Sequence, residues 1–169
     1  MEYAENIYFS SDKIAGIKFD VFSSRKGIRH IYINKKSTTI NTKGMTRLHP
    51  DDPYMFNVFA ELKEYFNLKR KKFDVLLDIK GTSFQLKVWN ELSKIPFGKT
   101  VSYKTIGKRI GDVKAVRAIG RANGANPVPI VIPCHRVIES SGKLGGYSCG
   151  IKIKEQLLEL EGSLSLELF

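Results

Sequence analysis

Cysteine is scarce in this 169-residue chain, which has two. That is too few for a disulfide framework, and Cys134 and Cys149 do not stand at zinc-ligand spacing, so no metal site is expected. Such cysteine usage suits a reducing compartment, and the cytoplasm is the expected location. No apolar run approaches the roughly 18 residues that span a bilayer, so no membrane insertion is expected. The opening residues Met1 to Glu5 lack a basic stretch followed by an apolar core, so no secretory leader is expected either. Internal repeats and low-complexity stretches are absent. Acidic residues are also few, 17 Asp and Glu against 28 Lys and Arg, for a formal net charge of +11.

That positive charge alone is weak evidence for a polyanionic partner, but its distribution is informative. Between Lys99 and Arg136 stand eight basic residues and one acid, Asp112, a local balance of +7. From Val137 to the end the balance reverses to −2. The cationic surface is therefore concentrated where a nucleic acid could read it. The cluster Lys69-Arg70-Lys71-Lys72 follows an amphipathic helix and reads as a solvated helix end.

An apolar content of 42% supports a real core, and the length suits one domain or two small ones. Ile17, Phe19 and Val21 alternate with polar partners, as do Ile31 and Ile33, around a turn at Arg25-Lys26-Gly27, which predicts a hairpin. Residues 35–49 read as a loop. Asp52-Pro53 predicts a helix start, with Met55, Val58, Phe59, Leu62 and Phe66 as the apolar face. Phe73 to Ile79 reads as a short strand. Nothing in this first half, a small α/β layer over 1–79, carries chemistry.

The second half, 80–169, reads as mostly helical, so the fold class is α+β. Thr82 and Gln85 form a capping box, followed by the stripe Phe84, Val88, Trp89 and Leu92. Ile95-Pro96-Phe97-Gly98 breaks that helix. Two short helices follow, one from the N-cap Ser102 to Gly111 and one from after Asp112 to about Asn123. Ala115, Ala118, Ile119 and Ala122 line one face of the second; Lys114, Arg117 and Arg121 form a basic stripe on another. The pair, over about 102–124, matches a helix-turn-helix.

Pro127 to Ile138 is the most informative stretch. Its apolar residues Val128, Ile130, Val131 and Ile132, bounded by prolines, predict a buried, stiff, extended segment. It delivers a thiol and an imidazole, Cys134 and His135, at its end. A buried cysteine is usually an inert small hydrophobe, and a lone histidine is usually only hydrogen-bonded. Here three prolines in seven residues fix the backbone where the thiol emerges, and fixed placement is what a nucleophile needs. His135 is the obvious base, although neighbours on an extended strand point to opposite faces. Either a turn at Cys134 or a bridging water would connect them. A carboxylate would complete a Cys–His–acid relay, and spacing alone does not choose among Glu139, Glu155, Glu159 and Glu161.

The motif Ile132-Pro133-Cys134-His135-Arg136-Val137 resembles the active site of the O6-alkylguanine-DNA alkyltransferases. The resemblance extends over Gly81 to Gly162, through Gly81-Thr82-Ser83-Phe84-Gln85, Val101-Ser102-Tyr103, Lys114 to Gly120, Asn126-Pro127 and Gly146-Tyr147-Ser148. The first half resembles the family's ribonuclease-H-like N-terminal domain in outline and length. The resemblance implies irreversible, single-turnover transfer of an alkyl group from O6-alkylguanine in duplex DNA to Cys134, with no cofactor, by a monomer working from the minor groove. O4-alkylthymine would be a second candidate substrate. It implies His135 as base through a water, Glu161 as supporting carboxylate, Asn126 as brace of the thiol turn and Tyr103 as donor toward the guanine. Tyr147 and Ser148 would line the base pocket, and the carbonyls of Cys134 and Val137 would read the guanine amino group. Ser102, Lys114, Ala115, Arg117 and Arg121 would contact DNA, with Arg117 filling the space of the flipped nucleotide. Cys149 stands where the family commonly has glycine, and Arg121 and Gly124 also depart from its commonest residues. The competing readings are a DNA-binding regulator, a lesion-binding protein without transfer, and a multiple-turnover cysteine hydrolase.

Overall fold

A computed structural model describes residues 6–36 and 40–164, and contacts between Cα atoms divide the chain into two compact units, 1–80 and 81–169. The first unit is a four-stranded sheet with a helix. Strands β1 (Tyr8–Ile14), β2 (Ile17–Ser23) and β3 (Ile28–Ile33) form an antiparallel meander, and β4 (Thr46–Arg47) adds to β1 in parallel, in the order β3-β2-β1-β4. The expected hairpin is present, closed by the Ser24 N–H donating to Gly27 O. Helix α1 (Val58–Phe66) buries Val58, Phe59, Leu62 and Tyr65, and the Phe66 ring meets Phe19 of β2 at 6.0 Å between centroids.

Three local expectations are corrected here, and one strand is added. The first strand, β1, was not anticipated, because Ser10, Ser11, Asp12 and Lys13 dilute its apolar pattern. The loop expected over 35–49 contains β4, too short to leave a periodicity. The helix expected from Asp52 is broken: Asp52 caps a 3-10 turn over Pro53–Met55, then Phe56 and Asn57 adopt left-handed conformations before α1 begins. Residues 73–79 are not a strand; only Leu77 bridges to Ile28, in parallel. Gly27 explains the close approach there, since a Cβ at Gly27 would lie 2.6 Å from the Leu76 carbonyl oxygen.

The second unit packs α2 (Ser83–Ser93), α3 (Tyr103–Ile110) and α4 (Val116–Gly124) against one another, with α5 (Ile151–Leu160) against the turn that carries Cys134. Two short strands, β5 (Val101–Ser102) and β6 (Val137–Ile138), pair in parallel. The Thr82–Gln85 capping box is formed reciprocally, at 2.9 and 3.2 Å, a device that stabilises a helix start by about 1 kcal/mol. Val88, Trp89 and Leu92 are buried on α2. The Trp89 indole N–H donates to the Ala122 carbonyl of α4 at 2.8 Å. Ser102 caps α3 by accepting from Thr105 N, and Gly111 ends it in the left-handed conformation that favours glycine.

Candidate active site

Cys134 is delivered by a sequence of tight turns, not by the extended segment expected from the prolines. Pro129 bridges to Ile132, and Ile130 between them has φ +75°, a region in which a β-branched residue is strained by roughly 1–3 kcal/mol. Ile132 N–H donates back to Val128 O. Cys134 N–H then donates to Ile132 O at 2.8 Å across Pro133, whose φ of −80° and ψ of 62° make an inverse γ-turn. A 3-10 turn, Cys134–Arg136, follows at once. Proline at its N-cap pre-sets the one dihedral this turn demands.

Asn126 holds this stretch from inside. Its Nδ2 donates to Ile132 O at 2.8 Å, and its Oδ1 accepts from Val128 N at 3.1 Å. Both ends of the bend are thereby tied to one buried amide. The thiol is almost fully buried, and burial pushes it up to about 11, against the opposing influence of Asn126 and Tyr147. In the free protein Cys134 is a neutral thiol at pH 7, which requires a base.

The turn brings His135 onto Glu161. His135 Nε2 lies 2.9 Å from Glu161 Oε1, and both side chains are fully buried. Of the four carboxylates that spacing left open, Glu161 is the one on the histidine. It also accepts from Arg136 Nε and Nη2 at 2.9 and 2.8 Å and from Gly98 N at 3.2 Å. Burial acts to raise its pKa, but hydrogen bonds and charges from His135 and Arg136 outweigh this and hold it at about 2. An ionised carboxylate only accepts, so Nε2 must carry the ring proton. Burial lowers the His135 pKa despite Glu161, so the ring is neutral. Its Nδ1 is then an acceptor, buried with no partner among the described residues. The arrangement presents a basic nitrogen with its lone pair open.

Arg136 and Lys154 are the functional candidates that sequence reasoning missed. Arg136 is buried, and its third donor, Nη1, reaches Ile95 O at 2.6 Å. Lys154 on α5 is fully buried, donating from Nζ to Val137 O at 2.7 Å and to Leu144 O. Burial lowers it to about 8, against the charges of Cys134 and Glu139. A lysine inside Ile151-Lys-Ile-Lys154 reads as a solvated helix face, and only the tertiary fold places it inside. For Arg136 the signal was its position next to the Cys-His pair. A third missed residue, Asn123, donates from Nδ2 to Cys134 O at 3.3 Å.

The remaining expected residues are dispersed around this centre. Tyr103, at the start of α3, is half-buried with its ring 3.7 Å from where a Cβ on Gly145 would stand and 4.0 Å from one on Gly120. Burial, with the charges of Cys134 and Glu139, raises the Tyr103 phenol, which stays protonated and able to donate. Tyr147 acts to lower the pKa of the Cys134 thiol, against the effect of burial. Ser148 Oγ lies 3.9 Å from Cys149 Sγ. Lys114, Arg117 and Arg121 are exposed at and along α4, and Ala115 stands at its N-cap. The Ser102 hydroxyl is engaged with Thr105. Among the described residues no cluster of three or more His, Cys, Asp or Glu could hold a metal ion, and no helix is long and apolar enough to cross a membrane.

A sheet unit followed by a helical unit with a buried thiol beside a His–carboxylate pair defines a class with known relatives. Residues 18–79 match the 6-O-methylguanine DNA methyltransferase ribonuclease-like domain, and residues 83–163 match the DNA binding domain of the same name. A methylated-DNA–protein-cysteine methyltransferase of Methanosarcina acetivorans is 47% identical over 127 residues, covering 72% of this chain and 81% of the relative. One from Mycobacterium bovis is 49% identical over 118 residues, covering 70% and 72%. The structure of Mycobacterium tuberculosis OGT in complex with DNA superposes with a TM-score of 0.81 at 36% identity, over 92% of this chain and 93% of that one. The chain belongs to the 6-O-methylguanine DNA methyltransferase family.

Proposed function

We propose that this chain reverses alkylation damage in DNA, taking the alkyl group from O6 of guanine onto Cys134 in a single irreversible turnover. The observation that carries this reading is the buried Cys134 thiol followed in its turn by His135, whose Nε2 is committed to Glu161 and whose Nδ1 is open. His135 takes the thiol proton through one bridging water. The Cys134 sulfur attacks the alkyl carbon, an S–C bond forms as the C–O6 bond breaks, and the electron pair passes to the guanine. Tyr103 donates toward the departing base, a role suited to a phenol held protonated by burial. Tyr147 and Ser148 line the base pocket. The product thioether has no route back to a thiol in this site, so each molecule acts once and no cofactor takes part.

DNA is the partner. The helix pair α3 and α4 serves as a helix-turn-helix, presenting Lys114, Ala115, Arg117 and Arg121, with Ser102 at the start of α3. The O6 atom lies inside the base stack, so the nucleotide must be rotated out at a cost of a few kcal/mol. Arg117, exposed on α4 among small residues, fills the space it leaves, from the minor-groove side. A monomer acting in the cytoplasm suffices, with 1–79 as the N-terminal domain and 80–169 carrying the chemistry.

Intact mass after incubation with excess duplex DNA containing O6-methylguanine tests this directly. The expected result is one added methyl per chain, mapping to the Cys134 peptide and absent in Cys134→Ala. A Cys134→Ala protein that still removes the methyl group, or product that accumulates beyond one equivalent, would overturn it.

A further inference from the structure

Asn123 lies near the end of α4 and is 3% exposed. Its Nδ2 donates to Cys134 O. A carbonyl oxygen only accepts, so the amide can stand only one way round, with Oδ1 directed away from that carbonyl. By covalent geometry Oδ1 lies no more than about 5.6 Å from Cys134 O. Oδ1 is buried and has no hydrogen-bond partner among the described residues. Buried acceptors left unpaired are uncommon and call for a reason.

The neighbouring acceptors sharpen the point. Cys134 O receives the Val137 N–H that closes the 3-10 turn as well as Asn123 Nδ2, so both its lone pairs are engaged within the protein. Val137 O receives Lys154 Nζ. A guanine turned toward the thiol presents a 2-amino group with two N–H donors. Apart from His135 Nδ1, which serves the thiol proton, an uncommitted acceptor near Cys134 among the described residues is Asn123 Oδ1.

We infer that Asn123 Oδ1 accepts a hydrogen bond from the 2-amino group of the flipped guanine, making Asn123 a specificity-determining residue that favours guanine adducts over bases lacking that group. The inference rests on the alkyl-transfer reading above. It assigns to a side chain of the DNA-reading helix a recognition role that backbone carbonyls alone cannot fill here, because one of them is saturated. A purine without the 2-amino group, or a pyrimidine such as O4-methylthymine, leaves Oδ1 unpaired in the complex and reacts more slowly.

The test is a comparison of single-turnover methyl transfer from duplexes carrying O6-methylguanine or O6-methylhypoxanthine, which differ only in the 2-amino group. The wild type should react about tenfold faster with the guanine adduct, the discrimination of one buried neutral hydrogen bond. In Asn123→Leu that ratio should fall toward one. Loss of the bond to Cys134 O in the same variant slows both substrates alike, so a merely structural role leaves the ratio unmoved. An unchanged ratio in a folded Asn123→Leu protein overturns the inference and leaves the repair reading standing. Should that variant fail to fold, equal wild-type rates on the two duplexes overturn it as well. A wild type that accepts no methyl group from either duplex overturns both.

Discussion

Arg136 grips Glu161 with two parallel hydrogen bonds, Nε to Oε2 at 2.9 Å and Nη2 to Oε1 at 2.8 Å. The fork fixes the plane of the carboxylate, and that plane in turn fixes the ring of His135. Two adjacent residues, His135 and Arg136, thus converge on one acid from successive positions of a 3-10 turn. An extended backbone would have sent them to opposite faces.

Acid sensitivity follows from this pairing. The folded-state pKa of Glu161, about 2, lies below its ordinary value of 4.5, so its stabilising contribution is complete above about 4.5 and is lost as pH falls toward 2. Glu161→Gln leaves the Arg136 charge buried without a counter-charge and should destabilise the protein by roughly 3–5 kcal/mol at pH 7. The gap between variant and wild type should narrow steadily below pH 4.5. Urea midpoints across pH 2–7 check this, and a pH-independent gap would remove Glu161 from the account.

The rate of alkyl transfer should depend on pH through His135, not through the thiol. With His135 neutral and its pKa below the usual 6.5, the base is competent at pH 7 and becomes protonated only as pH falls well below that. Single-turnover rates should be nearly flat between pH 7 and 9 and fall only at a pH below the ordinary imidazole value of 6.5. A thiolate formed in advance, from a thiol at about 11, would instead give a rate rising tenfold per pH unit up to pH 9. His135→Ala should lower the plateau by roughly 10²-fold or more.

Arg117→Ala separates DNA handling from chemistry. The side chain is exposed on α4, so transfer from free O6-benzylguanine should stay within about threefold of wild type. Transfer from duplex DNA should fall by roughly 10²-fold, as unstacking loses its wedge. Equal losses on both substrates would contradict the flipping role.

Alkylation should weaken the fold. Cys134 is 1% exposed, packed among Asn126, Asn123 and a strained Ile130 turn, and an added group there overpacks the site at a cost of roughly 1–3 kcal/mol. A melting temperature lower by several degrees after reaction is the expected readout.

Much of this is legible in the sequence because it is local. The capping box at Thr82, the Ser102 cap, the Gly111 stop and the burial of Val88, Trp89 and Leu92 follow from side chains acting within one or two turns. The Cys134-His135 pair was legible for the same reason. What the sequence hid depends on partners far along the chain. Glu161 could not be chosen from four glutamates because 26 residues separate it from His135. Lys154 sits in a pattern that reads as solvated, and its two carbonyl partners exist only after β6 and the 144 loop are placed. The prolines mislead: Pro129 and Pro133 serve tight turns, one beside a left-handed Ile130, where an apolar run bounded by prolines suggests extended chain. Strand β1 was missed since its polar centre is satisfied by cross-strand partners such as Asp20, which accepts from Ser11 at 2.6 Å.

The single tryptophan of the chain has its indole N–H on the Ala122 carbonyl of α4, and Gly81 is held side-chain-free by the ring itself, which a Cβ there would approach to 2.6 Å. Intrinsic fluorescence is therefore a one-residue optical gauge of where α4 stands, needing no dye or label. Emission recorded in a stopped-flow mixing experiment would time helix displacement against methyl capture in the same molecule.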